Sequence, residues 1–234
     1  MFEVNEKVRY SEIGSDGRIS LGAILDAFQN TSNLQSESLG LGINYLKQKN
    51  IAWVLSAWQV IIEKRPVIFD EITVGTKAYD FKGMYGYRNF CILDDKGDMI
   101  VKANSIWVLI DTETGRPIKV SEEESLPYGS EEKIEMEYAD RKIKIDGIPE
   151  EKEEFPVRKY CIDTNGHVNN AQYVIMAEEY LPDEFDVRQI RVEYKNQAKY
   201  GNLIFPVVYL GDEKVIVVLN NEEGKAFAVV EFSK

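Results

Sequence analysis

The chain has 234 residues and a net charge of −12 at pH 7, with 44% hydrophobic and 29% charged residues. These proportions are typical of a globular protein of one large domain or two small ones with a sizeable core. The negative charge argues against nucleic acid or an anionic membrane surface as the main partner.

No apolar stretch approaches the ~20 residues that a membrane helix requires, and the first residues lack the pattern of a signal peptide. We therefore expect a cytoplasmic protein with no membrane span. The two cysteines, Cys91 and Cys161, do not show zinc-binding spacing, and we expect them to be free thiols. We expect no metal and no cofactor.

The first elements in chain order are a short strand, a glycine-containing loop and a long helix at about 20–38. Apolar residues at helical spacing give this helix one apolar face, and Ser20 is a good N-cap residue. A short helix is expected in "INYLKQKN". Strand-like runs separated by turn signals follow at 51–64, 71–81, 85–95 and 99–111.

An acidic, weakly periodic segment at 121–150 is predicted to be a linker with one packed segment at most. After it come a second glycine-containing loop and a second helix at about 169–181, which Pro182 must end. The remaining predicted strands lie at about 187–196, 202–210, 213–220 and 225–232.

The two halves are related to each other. Residues 8–25 align with residues 157–174 without a gap, at a constant offset of 149, with Ile13 over Ile162 and Gly17 over Gly166. This agreement in the order of elements predicts a duplicated unit. The predicted fold class is α+β, a double hotdog in which two long helices are each wrapped by an antiparallel β-sheet. The predicted domains are 1–120 and 151–234.

The only histidine of the chain, His167, lies two residues before the predicted N-cap Asn169. Asp163 and Asn165 alternate with His167, so an extended segment would point all three side chains to one side. A helix N-terminus can stabilise a carbonyl oxygen that becomes negative. His167 could donate to that oxygen or move a proton, Asn165 could hold water or the carbonyl, and Asp163 could be the base.

An ordinary structural role is the alternative, because Asn, Asp and Gly before a helix are common turn and capping residues. The equivalent loop of the first half tests whether the fold itself requires these residues. Its equivalent positions hold Gly14, Asp16 and Arg18. The fold therefore does not require the Asp-Asn-His set, and we favour a catalytic role.

The segment "DTNGHVNNAQYV" is similar to the D-x-N-x-H-V-N-N-x-x-Y signature of the acyl-acyl carrier protein thioesterases, double-hotdog enzymes of plants and bacteria. Further segments resemble the family in both halves, among them "AWVLSAWQVIIEKRPVIFDEITVGT", "IWVLIDTETGRP" and "IRVEYKNQAKYGN". The resemblance covers almost the whole chain.

The resemblance implies that Asp163, Asn165 and His167 form the active site. The family also places a glutamate on the strand after the second helix, where this chain has Gln197. An amide can form hydrogen bonds but cannot accept the proton of an attacking water. The general base is therefore left open between Asp163 and His167.

The resemblance implies a fatty acyl chain carried by acyl carrier protein as the substrate, with an apolar tunnel in the first half. The candidate lining residues are Leu25, Phe28, Trp53, Leu55 and Trp58, each of which could instead be ordinary core. Acyl carrier protein is acidic, so a local basic patch is needed. Its candidate members are residues 141–144, Arg188, Arg191, Lys195 and Lys199. A homodimer is one option for the assembly.

The expected function is hydrolysis of fatty acyl-acyl carrier protein to free fatty acid. An acyl-coenzyme A thioesterase is the first alternative. A hotdog dehydratase is disfavoured, because elimination needs an acid opposite the histidine and Asp163 shares its loop. Because Gln197 replaces the family's glutamate, a non-catalytic acyl-binding protein is a further alternative. The sequence does not predict the chain length of the substrate.

Overall fold

A computed structural model describes residues 1–129 and 131–234; Ser130, which falls in the predicted linker, lies outside the described residues. The chain forms two units. The first comprises residues 1–56 and 62–138, and the second comprises residues 57–61 and 139–234.

The N-terminal unit is an antiparallel sheet with one long helix packed against it. Its strands lie in the order β1-β3-β4-β5-β2, and the long helix α1 packs against β3 and β1. The elements are β1 (Phe2–Lys7), α1 (Leu21–Ser38), α2 (Ile43–Lys49), β2 (Ile51–Ile62), β3 (Glu71–Lys82), β4 (Tyr85–Leu93), β5 (Met99–Asp111) and the short helix α3 (Glu122–Ser125).

The C-terminal unit repeats this plan. Its strand order is β8-β11-β10-β9-β6, the segment 57–61 of β2 pairs with β8, and β7 pairs with β9. The helix α4 packs against β10 and β11. The elements are β6 (Pro149–Glu151), β7 (Phe155–Pro156), α4 (Asn170–Glu178), β8 (Gln189–Tyr194), β9 (Leu203–Leu210), β10 (Lys214–Asn220) and β11 (Ala226–Ser233).

Local chemistry explains where α1 begins and what it buries. The Ser20 hydroxyl accepts from the Ala23 N–H at 3.2 Å, as an N-cap should. The predicted apolar face is buried, with Ile24 and Phe28 at 0% exposure. Each such side chain contributes roughly 1.5–3 kcal/mol by leaving water. Packing against the sheet therefore stabilises α1 more than helix propensity does.

The predicted helices and the eight strands that follow them are confirmed in type and order, whereas the short strand predicted before each glycine loop is a 3-10 turn. Two further differences concern α4 and the linker. Helix α4 ends at Glu178, three residues before the predicted end, because Tyr180 and Leu181 bond three residues back as turns before Pro182. The predicted linker packs at more than one place, since Ile134 and Ile143 are both buried.

The duplication extends to individual hydrogen bonds. The Gly14 N–H donates to the Arg18 carbonyl at 2.9 Å, and the equivalent Asp163 N–H donates to the His167 carbonyl at 2.8 Å. A short 3-10 turn precedes each loop, at Tyr10–Glu12 and at Lys159–Cys161. The two loops therefore share one backbone conformation, as the alignment predicts.

A second duplicated segment is visible only in the structure. Residues 65–70 correspond to residues 197–202 at an offset of 132. The Ile19 N–H donates to the Pro66 carbonyl at 2.8 Å, and the Val168 N–H donates to the Ala198 carbonyl at 2.9 Å. Because Pro66 and Ala198 correspond, the counterpart of Gln197 is Arg65.

This correspondence predicts a difference in backbone strain. Gly201 has φ +81° and its counterpart Phe69 has φ +69°. Gly201→Ala should lower the free energy of unfolding by about 1 kcal/mol, because the left-handed region disfavours a side chain. An added Cβ there meets no atom within 4 Å, so the cost is conformational. Urea unfolding measures it.

Phe69→Gly is the reciprocal control. It should not destabilise the protein, because relief of the left-handed strain offsets the greater freedom of glycine in the unfolded chain. Equal losses in both variants would contradict the correspondence of the two positions.

Candidate active site

The loop that carries the histidine is a tight turn. Its ends are joined by the Asp163–His167 backbone bond, and the Gly166 N–H donates to the Asp163 carbonyl at 3.1 Å. Gly166 has φ +77°, which favours glycine. The prediction of an extended segment with three side chains on one side was therefore wrong, because the chain reverses direction here.

The carboxylate of Asp163 shapes this turn. Its Oδ1 accepts from the backbone N–H of Asn165 at 2.8 Å and of His167 at 3.3 Å. Asp163 and His167 are half-buried, whereas Asn165 is exposed. One carboxylate oxygen thus orders the backbone on which the other two candidates are carried.

The turn leads directly into the N-terminus of α4. Asn169 is the N-cap, as predicted, and its Oδ1 accepts from the Ala171 N–H at 2.8 Å. The Asn169 carbonyl accepts from the Gln172 N–H at 3.0 Å. Of the first three N–H groups of α4, those of Ala171 and Gln172 are therefore bonded, and that of Asn170 has no acceptor among the described residues.

Gln197 lies in an exposed loop three residues after β8 ends at Tyr194, so its predicted place on a strand was wrong. Two bonds hold this loop. Ala198 accepts from the Val168 N–H and donates its own N–H to the Tyr173 hydroxyl at 2.9 Å. Val168 follows His167 in sequence, and Ala198 follows Gln197. Because Val168 and Ala198 are hydrogen-bonded to each other, the two loops lie side by side.

Tyr173 is a part of the site to which sequence reasoning gave no role, although it is the tyrosine of the quoted motif. It is 2% exposed, and burial, together with the nearby Asp163 charge, raises the pKa of its hydroxyl to about 12. Its ring packs edge-on against Tyr194 at 5.8 Å, and the Tyr194 hydroxyl donates to the Asn170 carbonyl at 2.9 Å. These two neutral phenols position the Gln197 loop and the start of α4.

The equivalent loop of the N-terminal unit shows what the same backbone does with other side chains. Asp16 forms an ion pair with Arg65 and accepts from the Arg18 N–H at 3.1 Å. Asp16 and Arg65 are the counterparts of Asn165 and Gln197. Their contact shows that this backbone allows an aspartate and an arginine at those two positions to meet.

The candidate acyl-chain residues divide between the units. Leu25, Phe28 and Leu55 are buried in the N-terminal unit, and Phe28 packs on Phe90 with ring centres 5.1 Å apart. Trp53 is half-buried there, 6.1 Å from Phe81. Trp58 is buried, but it lies in the segment 57–61 of the C-terminal unit.

Three members of the predicted basic patch, Arg191, Lys195 and Arg188, form ion pairs with described acids. Arg191 pairs with Glu231 at 2.9 Å and donates to the carbonyl oxygens of Asp140 and Lys142. The remaining paired members are Lys195 with Glu193 at 3.6 Å and Arg188 with Asp186 at 2.7 Å.

Lys199 forms no ion pair with any described residue, and the same holds for the exposed Lys142 and Lys144. Lys199 lies two residues after Gln197 and is exposed. Two cations that sequence reasoning missed, Arg158 and Lys159, are also exposed, and they lie on the 3-10 turn before the His167 loop.

Within the described ranges, no group of three or more His, Cys, Asp or Glu side chains is placed to hold a metal ion. No helix described there is long and apolar enough to span a membrane.

A helix packed on an antiparallel sheet, present twice, with a polar loop at the second helix's N-terminus, defines the double-hotdog class. The chain belongs to the acyl-acyl carrier protein thioesterase family. The model of the family's N-terminal domain matches residues 1–128, and the model of its C-terminal domain matches residues 141–225.

Relatives agree with this assignment. A chloroplastic acyl-(acyl-carrier-protein) hydrolase, FATB2, of Cuphea viscosissima is 26% identical over 85% of this chain and 52% of its own length. A chloroplastic palmitoyl-acyl carrier protein thioesterase of Arabidopsis thaliana is 27% identical over 85% of this chain and 52% of its own. The chain thus spans about half the length of these curated relatives.

A solved acyl-ACP thioesterase of Bacteroides thetaiotaomicron has the same fold. Its TM-score is 0.90 at 20% identity, with 99% of this chain and 96% of the other covered.

The position of Tyr173 yields a prediction. Tyr173→Phe leaves the buried Ala198 N–H without an acceptor, which should lower the free energy of unfolding by about 1–3 kcal/mol. Tyr180→Phe is the control, because the Tyr180 hydroxyl bonds to no described residue and should lose little. A Tyr173→Phe protein as stable as the control would contradict the positioning role.

Proposed function

We propose that this protein hydrolyses the thioester of fatty acyl-acyl carrier protein and releases free fatty acid. The observation that carries the proposal is the pair of loops with one backbone. The C-terminal loop presents Asp163, Asn165 and His167 at the start of α4, whereas the N-terminal loop closes with other residues. The names of the curated relatives support the same substrate class.

The start of α4 is the proposed site for the thioester carbonyl. The Asn170 N–H has no acceptor among the described residues and can donate to the carbonyl oxygen. The partial positive charge of the helix end stabilises the negative charge that this oxygen gains on attack. His167, three residues before Asn170, is the proposed second donor.

The proposed nucleophile is water. Its oxygen bonds to the carbonyl carbon while its proton passes to a base, and the carbon–sulfur bond then breaks as the thiolate leaves and is protonated. Asp163 is the proposed base, because Oδ1 is committed to the turn while Oδ2 accepts from no described residue. Asn165, in the turn, and Gln197, in the loop beside it, are proposed to orient the water.

A non-catalytic acyl-binding protein is the second candidate, and Gln197 is the observation that favours it. Where the family has a carboxylate, this amide cannot accept a proton. Activity therefore depends on Asp163 or His167.

Exposed cations near the loop support an acidic carrier as partner. Arg158 pairs with no acid among the described residues, whereas its N-terminal counterpart Arg9 lies 3.5 Å from Glu12. The counterpart of Glu12 is the buried Cys161, so the second loop has lost that acid. The proposal keeps the expected cytoplasmic location, although the two curated relatives are chloroplastic, and a homodimer stays a prediction.

The central prediction concerns His167. His167→Ala should reduce kcat/KM for acyl-acyl carrier protein by more than ~100-fold, the usual scale for a positioned proton donor or acceptor. The thermal midpoint should barely change, because the side chain is only half-buried. Arg18→Ala in the equivalent loop is the matched control and should retain full activity.

If His167→Ala keeps more than about a tenth of the activity, the loss is under ~1.4 kcal/mol and the histidine is not central.

The identity of the base yields a further prediction. Asp163→Asn retains an oxygen that can accept both turn N–H groups but cannot accept a proton, so it should preserve the fold and cost at least ~100-fold in kcat. Gln197→Glu should retain or raise activity, since it supplies a carboxylate beside the turn. Release of free thiol from acyl-acyl carrier protein measures both.

A harmless Asp163→Asn with a large gain in Gln197→Glu would instead identify a weakened, acyl-binding relative.

The partner is tested by charge reversal. The double variant Arg158→Glu, Lys199→Glu should raise KM for acyl-acyl carrier protein about tenfold with kcat little changed, because rim charges act mainly on association. Acyl-pantetheine, which has neither protein nor phosphate, should be unaffected. Arg9→Glu is the matched control. An unchanged KM would exclude these cations from docking, and an equal rise with acyl-coenzyme A would assign them to phosphate.

A further inference from the structure

The sheet of the N-terminal unit ends on a free edge. Among the described strands, β1 pairs only with β3, so its other side has no neighbour. The Val8 N–H donates to the Asp70 carbonyl at 3.0 Å, so the Val8 amide faces the β3 side. Because bonding alternates along an antiparallel strand, the N–H and C=O groups of Glu3, Asn5 and Lys7 face the free side.

This edge lacks the features that usually protect a sheet from further pairing. Such features are prolines, bulges and very short strands. β1 has six residues without proline and keeps an unbroken register with β3. The sheet edge of the C-terminal unit differs, because β6 has three residues and begins at Pro149. The chain thus protects one sheet edge and leaves the other able to accept a strand.

Exposed aromatic side chains lie at one end of this edge. An open groove along it is lined by residues 4–10 and by Phe69. Tyr10 is 79% exposed and Phe69 is 66% exposed. Phe69 also has the left-handed φ of +69°, which is unfavourable for a bulky residue. Strain and exposure together at one aromatic residue indicate a contact surface.

The exposed side chains of β1 indicate what pairs with it. Glu3, Asn5 and Lys7 form one exposed row. Lys7 pairs with Glu71 of β3 at 3.1 Å, whereas Glu3 forms no ion pair with any described residue. When two copies of β1 pair antiparallel around Asn5, Glu3 lies opposite Lys7 of the partner subunit. The two-fold symmetry repeats this contact, so the row is complementary to itself.

Other registers of the same pairing are less favourable. A shift by two residues keeps each side chain on its face of the sheet. In one direction it places Glu6 opposite Glu6 of the partner subunit, and like charges directly opposite are destabilising. In the other direction it places Glu3 opposite Asn5 of the partner subunit and leaves Lys7 without an acid across the contact. Charge therefore favours the register centred on Asn5.

We propose that two copies of this chain pair through β1 and form a homodimer whose two edge strands join antiparallel. The inference goes beyond the proposed function and does not depend on it, because β1 carries no residue of the proposed site. Tyr10 and Phe69, just past the end of β1, then cover the start of the partner's strand. One short strand is a small interface, so we expect a Kd on the order of 10 µM.

The test is sedimentation equilibrium of the whole chain at concentrations from about 1 to 300 µM, which bracket that Kd. Wild type should show a reversible monomer–dimer equilibrium. Glu3→Lys and Lys7→Glu should each raise the Kd at least about tenfold, because each variant places like charges opposite twice in the dimer. The double variant should return to within about threefold of wild type, since it restores opposite charges. An equal mixture of the two single variants should form the heterodimer.

Matched controls separate this pattern from an effect of net charge. Glu222→Lys and Lys119→Glu make the same charge changes at exposed positions outside β1 and should leave the Kd unchanged. A wild type that stays monomeric over the whole range would overturn the inference. So would single variants that dimerise like wild type, or a double variant that dimerises no better than the single ones.

A further variant tests the backbone of the edge. Asn5→Pro removes the N–H that faces the free side, where proline is tolerated in an edge strand. It should raise the Kd at least about tenfold, because the two-fold contact loses two hydrogen bonds. Circular dichroism checks that the variant is folded. Undiminished dimerisation of folded Asn5→Pro would show that β1 is not the contact, and if this variant does not fold, the charge variants decide.

Discussion

The hydrogen bond from the Val168 N–H to the Ala198 carbonyl is the contact on which the proposed site depends. It fastens the His167 turn to the Gln197 loop, and both of its residues are buried, so water does not compete for it. Tyr173 completes the arrangement from α4 by accepting the Ala198 N–H. Without this bond, the His167 turn and the Gln197 loop would move independently. The proposed water would then no longer be held between Asn165 and Gln197.

The duplicated loop separates what the fold needs from what the chemistry needs. Both copies close with equivalent backbone bonds, cap a helix and bond to a second loop. In the N-terminal copy an Asp16–Arg65 ion pair satisfies the side chains internally. In the C-terminal copy the corresponding positions hold the neutral amides Asn165 and Gln197, which can bind water or substrate. The protein thus contains its own structural control for the proposed site.

Periodicity and turn residues were enough to predict the helices and strands, because burial of one face per element imposes regular spacing. The turn residues of Asp-Thr-Asn-Gly-His indicated a loop at 163–167, but they did not predict the bonds of Asp163 Oδ1 to the Asn165 and His167 N–H groups, so the expectation of an extended segment was wrong. The correspondence of Arg65 with Gln197 was also hidden, because residues 65–70 and 197–202 share no identity.

The measurement that tests the account most directly transfers the first loop's side chains to the second. The triple variant Asp163→Gly, Asn165→Asp, His167→Arg installs residues that the same backbone already accepts in the N-terminal unit. We predict a folded protein with a thermal midpoint near that of wild type and hydrolysis of acyl-acyl carrier protein reduced by more than ~1000-fold, as expected when groups that act as a unit are lost. Wild-type activity in a folded triple variant would contradict the account.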